Sequence, residues 1–77
     1  MPYDAALDAE VFKVVKEFED TRISVGIFSY NKGIPKLQIS RENRSAEGEW
    51  RFAKLGRMVK EEAQEVLAIM VKALERM

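Results

Sequence analysis

The chain has 77 residues, with thirteen basic and thirteen acidic side chains, no cysteine and no histidine. A chain this short buries only about 60–65% of the surface it exposes when unfolded, so a single domain is expected, and with disulfides excluded, oligomerisation is the remaining way to add stability. Missing histidine and cysteine remove the usual general base, the thiolate nucleophile and the commonest metal ligands, so no catalytic centre, metal or cofactor is expected.

The start, MPYDAALDAE, is acidic and lacks a basic region followed by an apolar run, so it does not read as a secretory signal. No run of about 18 apolar residues occurs, which argues against a membrane span and makes the cytoplasm the default expectation. Residues 1–10 read as an acidic start, loose or briefly helical. Residues 4–20 fit two patterns. Leu7, Val11, Val14, Val15 and Phe18 form a helical stripe, whereas Phe12, Val14 and Phe18 suit a strand interrupted by Lys16. The preferred reading is a strand from Val11 to Glu19, turning near Asp20 and Thr21.

RISVGIFSYN alternates, with Ile23, Val25 and Ile27 on one side and Ser24, Gly26, Phe28 and Tyr30 on the other. Asn31-Lys32-Gly33 is turn chemistry, since Asn and Gly tolerate positive φ. Pro35 then opens a third strand, where its missing N–H does least damage. PKLQISR sets Leu37 and Ile39 against Lys36, Gln38 and Ser40. NRSAEGE is a loop by composition. WRFAKLGRMV reads as a fourth strand, with Trp50, Phe52 and Lys54 opposed to Arg51, Ala53 and Leu55; Gly56 marks a bulge or a close backbone approach. The sheet is thus expected over residues 11–59.

From Lys60 onward there is no Gly or Pro, and good helix formers dominate. Ala63, Leu67, Met70, Leu74 and Met77 recur at helical spacing, widened by Val66, Ile69 and Ala73. Such a stripe can cover a sheet and still offer Leu67, Met70, Leu74 and Met77 to a partner helix, so a homodimer is expected. The fold class predicted is α+β: a four-stranded antiparallel sheet followed by one long C-terminal helix over residues 60–77.

The zero net charge hides an asymmetry. Residues 1–20 hold six acids against two bases, residues 21–60 nine bases against three acids, and residues 61–77 four acids against two bases. A basic middle between acidic ends can create a local positive field, although surface strands also carry Lys and Arg for solubility and edge protection. If Ile23, Val25, Ile27, Leu37, Ile39 and Leu55 face the helix, the other face shows Phe28, Tyr30, Lys36, Gln38, Ser40, Trp50, Phe52 and Lys54. Unpaired bases stack on aromatic rings, for about 1–3 kcal/mol each, while cations track the phosphates. Lys32, Arg41, Arg44, Arg51 and Arg57 at strand ends extend the phosphate contacts. The opposing reading is that a helix over residues 4–20 covers this face and turns Phe28, Trp50 and Phe52 into core.

The run S-Y-N-x-x-x-P-K-L-x-I-S-R (Ser29 to Arg41), then a Gly near a strand end and a long helix, resembles the bacterial branch of the positive cofactor four family, small Whirly-like single-stranded-DNA-binding proteins. Ser29, Tyr30, Asn31, Pro35, Lys36 and Ile39 match that branch in type and spacing, over about residues 22–70 of the chain. The resemblance implies a four-stranded sheet plus helix, dimerisation through the helices, and single-stranded DNA lying over aromatic and basic strand surfaces. Tyr30 stands where the branch has its aromatic, Lys36 at its lysine after proline, and Lys54 and Gly56 near its K-G strand end. The branch's tryptophan after I-R is absent, with Glu42 and Asn43 in that region, and its I-T-L stretch reads Arg57-Met58-Val59.

The expectation is therefore a homodimer that binds single-stranded DNA or RNA, DNA first, with low sequence specificity, in transcription or DNA maintenance. The competing expectation is a dimeric protein-interaction module whose exposed sheet accepts a peptide or subunit.

Overall fold

The computed structural model describes residues 4–77. After a 3₁₀ turn at Ala5–Leu7 come strands β1 (Asp8–Glu17), β2 (Thr21–Tyr30), β3 (Lys36–Arg44) and β4 (Trp50–Ala53), then helix α1 (Lys60–Leu74). The strands pair antiparallel in chain order, giving one four-stranded sheet with α1 packed on one face, the α+β arrangement expected.

The ambiguous region becomes a strand. Phe12 and Val14 lie opposite Ile27 and Val25, so burial of their side chains against the sheet's apolar face outweighs the helical stripe. β1 starts at Asp8 and ends at Glu17, earlier at both ends than the pattern predicts. Its register slips between Glu10 and Phe12, leaving Val11 as the extra residue of a bulge. A bulge of this kind reverses which side successive residues face. Asp8 and Glu10 therefore share a face with Lys13 and Val15, and Phe12 and Val14 turn to the core. Phe18, in the turn that follows, also packs against the core.

The core is small: Ile23, Val25 and Ile27 from β2 meet Val66, Ile69 and Ala73 from α1. Phe12, Val14, Leu37, Ile39, Leu55 and Met70 close its margins. The helix is turned further than its strongest stripe suggests. Glu62, Val66, Ile69 and Ala73, at spacings of four and three, face the sheet. Ala63, Leu67, Leu74 and Met77 are exposed instead, so most of the expected stripe lies on the outer side.

Two local expectations are corrected. In the β2–β3 turn the positive φ angles belong to Asn31 (50°) and Lys32 (58°), not to Gly33. The Gly33 N–H closes the turn on the Tyr30 carbonyl at 2.8 Å, so the two central residues carry the left-handed geometry of a tight hairpin turn. The fourth strand ends at Ala53, and residues 54–59 form an irregular connection to α1. Gly56 there has φ 54°, and an added Cβ would have open space apart from the Lys54 carbonyl at 3.9 Å. Its requirement is thus conformational, not a close approach.

Candidate functional site

The second sheet face has no helix over it among the described residues, because residues 8–17 form the edge strand. Cross-strand register assembles this face residue by residue. Lys13, Gly26 and Gln38 form one row, Val15, Ser24 and Ser40 the next, and Glu17, Arg22, Glu42 and Phe52 a third. Glu10, Phe28 and Lys36 lie to one side, and Arg44 and Trp50 to the other.

The aromatics fall into two groups. Phe28 and Tyr30 stand at one end, Trp50 and Phe52 at the other. Phe28 and Arg22 are six residues apart on β2, about 20 Å at the rise of a strand. Between the groups the floor is low, made of Gly26, Gln38 and the Ser24 and Ser40 hydroxyls, which hydrogen-bond each other at 2.6 Å. The Phe28 ring lies across Gly26: an added Cβ there would come within 2.7 Å of Phe28 Cε2. Lys13, Ser24, Phe28 and Gln38 border a hollow of about 190 Å³. It adjoins one of about 350 Å³ bordered by Tyr30, Ile34 and Lys36, with Phe28 and Gln38 common to both. The result is a shallow trough with aromatic and lysine walls.

At the hairpin end, Tyr30 is anchored, since its Oη accepts the Asp4 N–H at 2.8 Å. At the far end, the Arg22 and Arg44 guanidinium carbons lie 4.5 Å and 4.6 Å from the Trp50 ring centroid. The indole is half-buried under cations, so it offers less ring to a base than expected. Phe52 is the opposite case, 80% exposed. Lys36, Gln38, Lys32, Lys54 and Arg57 are exposed, Ser40 is half-buried, and among the described residues Lys13, Lys32, Lys36, Lys54 and Arg57 form no ion pair.

Two of the expected phosphate contacts are not on this face. Arg41 shares the side of Ile39 and points to the helix, where only 9% of it is exposed. Its guanidinium forms a two-pronged pair with Glu62, at 2.9 and 3.0 Å. It also donates to Thr21 Oγ1 (3.0 Å) and to the carbonyls of Leu55 (3.0 Å) and Arg57 (3.4 Å). All five of its N–H donors are thereby engaged. The hydrogen bonds from Arg41 hold the Glu62 carboxyl below the usual carboxylate range against the opposing effect of burial, helped by the Val59 N–H. Arg41 is raised in turn, chiefly by the same bonds. This pair fastens β3, the 54–59 connection and the start of α1 together. Arg51, opposite Asn43, also faces away from the trough and pairs with Glu49 (3.4 Å) and Glu47 (3.9 Å).

The structure adds Lys13 and Arg22 to the face. Lys13 follows once Phe12 and Val14 are taken as core, because alternation then turns it outward. Arg22 shares the parity of Ser24 and Phe28, so the pattern of β2 already carried it.

A larger hollow of about 710 Å³ lies beside the helix start, bordered by Glu19, Asp20, Glu61 and Glu62 together with Arg44. Its acids outnumber its one arginine, so it suits a polyanion less well than the trough does. No protein-family profile, curated protein or solved structure matches this chain.

Proposed function

We propose that the open sheet face binds single-stranded nucleic acid, DNA in the first instance, with little sequence specificity. The observation that carries the reading is the uncovered trough. It brings Phe28 and Tyr30, the hydrogen-bonding groups of Ser24, Gln38 and Ser40, and Lys13 and Lys36, which form no ion pair among the described residues, onto one accessible surface. Bases stack on Phe28, Tyr30 and the exposed Phe52, each worth about 1–3 kcal/mol. Lys13 and Lys36 on the strands, Lys32 in the β2–β3 turn, and Lys54 and Arg57 in the 54–59 connection meet phosphates. Side-chain amides and hydroxyls on the floor bond to any base, which suits a reader without strong preference. The resemblance to the positive cofactor four family supports the same reading, with Tyr30 and Lys36 at its matching positions.

The working unit is a homodimer joined through the outer face of α1. Leu67, Val71 and Leu74 are exposed there beside half-buried Met70, and exposed Met77 follows the helix, which ends at Leu74 and not at residue 77 as the pattern predicts. A six-residue apolar core gives a chain this short reason to bury them against a second copy.

The test is a titration of labelled single-stranded oligonucleotides, followed by anisotropy at several salt concentrations and by Trp50 fluorescence. The expected result is binding that weakens with salt at a log–log slope of about −3.5, from about five phosphate contacts. Replacing Phe28 and Lys36 with alanine weakens it at least tenfold, and sedimentation of the free protein gives twice the chain mass. No binding of any single strand at low salt overturns the reading.

A further inference from the structure

The face carries acids as well as bases, and two of those acids are placed against its arginines. Arg22 Nε donates to Glu42 Oε1 at 2.8 Å, and Arg44 to Glu17 Oε1 at 3.4 Å. Both guanidinium groups also lie over Trp50. A guanidinium held at a ring face by its carbon still has N–H donors to direct at an anion. Among the described residues, each of these arginines makes one such bond within the protein. Arg41, three residues before Arg44, has none of its donors to spare.

From this geometry we infer that Arg22, Trp50 and Arg44 form a second phosphodiester-binding point at the far end of the trough, and that Glu42 and Glu17 hold it occupied until a nucleic-acid phosphate displaces them. The inference rests on the nucleic-acid reading of the same face and deepens it. Carboxylate and phosphate are alternative acceptors for the same guanidinium, and phosphate offers more oxygens. Both carboxylates are partly exposed, so each pair is weak and exchangeable. Trp50 keeps the arginines in position while their partners change, which reduces the ordering that binding requires. The two carboxylates therefore lower affinity. They also restrict tight binding to ligands long enough to reach this end from Phe28, about 20 Å away along β2.

Anisotropy with a labelled oligonucleotide at fixed salt tests this directly. Glu42→Gln and Glu17→Gln are each expected to tighten binding, by up to about fivefold. Glu10→Gln removes a carboxylate from the same face with no arginine partner, and so measures the general charge effect. In an Arg22→Gln background, the gain from Glu42→Gln should shrink to the Glu10→Gln value. The same holds for Glu17→Gln in an Arg44→Gln background. A gain that survives loss of the arginine, or one no larger than that of Glu10→Gln, overturns the inference and leaves the nucleic-acid reading standing. A second arm titrates tripolyphosphate into the Glu17→Gln/Glu42→Gln protein while following the arginine side-chain resonances by NMR. Shifts at Arg22 and Arg44 without oligonucleotide binding overturn the nucleic-acid reading and keep the anion site. No response to either probe overturns both.

Discussion

One sheet presents two faces that use the same residue types to opposite ends. On the covered face, Arg41 is buried, spends all five donors and meets Glu62 with both carboxylate oxygens. On the open face, Arg44 lies over an indole and touches Glu17 through one nitrogen at 3.4 Å. Both are arginine–glutamate pairs, and both arginines belong to β3. The difference is solvent. Where water is excluded, a guanidinium left without partners is very costly, so the fold must satisfy it completely. Where water remains, an incomplete pair costs little and can change partners. On the proposed reading, stability and binding thereby belong to different sides of one layer.

The largest effect that tests this division is on Arg41. Arg41→Met leaves Glu62 charged and buried, and is expected to lower unfolding free energy by about 3–5 kcal/mol, enough to leave so small a domain largely unfolded. Arg44→Met should change it by no more than about 1 kcal/mol, with the loss appearing in oligonucleotide affinity instead. Urea denaturation of both variants, followed by circular dichroism, makes the comparison. Similar losses of stability would show that the two faces do not differ as argued.

Acid sharpens the same contrast. Glu62 is held below the ordinary carboxylate value of about 4.3 by the Arg41 hydrogen bonds. Its contribution is therefore fully present above that pH and is lost as pH falls through the depressed folded value. Stability attributable to this pair should be level from pH 7 to about 5 and fall below about 4. Urea midpoints measured across that range should show a shallower acid-side fall in Glu62→Gln, which has no carboxyl to protonate. A fall centred near pH 6 would point to a different group.

Much of this arrangement was legible in the residues, because alternation is a strong signal when one side is consistently apolar. Ile23, Val25 and Ile27 are the buried side of β2, and Ser24, Gly26 and Phe28 the open side, as their spacing predicts. Arg41 shows how charge misleads. It continues the Leu37–Ile39 alternation, so parity placed it toward the helix, but its positive charge suggested a phosphate contact. Arg51 repeats the lesson opposite Trp50 and Phe52. The β1 bulge left no comparable trace, since Val11 is an ordinary strand residue and the slip depends on how Phe12 fits against Ile27. The cations over Trp50 were not legible either. Arg22 comes from two strands away, and only the assembled sheet brings it to the indole.

The smallest predicted effect separates the faces at a single residue. Lys32 sits at φ 58° in the β2–β3 turn, a conformation that costs an L-residue about 1–2 kcal/mol. Glycine removes that strain and gives part of it back as chain entropy in the unfolded state. Lys32→Gly should therefore stabilise the fold by about 0.5–1 kcal/mol, raising Tm by about 2–8 °C for a domain of this size. The same change removes a cation from the end of the trough, so the salt slope for single strands should become shallower by about 0.7. Stability and binding would then move in opposite directions through one substitution, with no contact in the core disturbed. A Lys32→Gly protein that melts higher but keeps the full slope would place this lysine outside the interface and leave the phosphate contacts to the other cations.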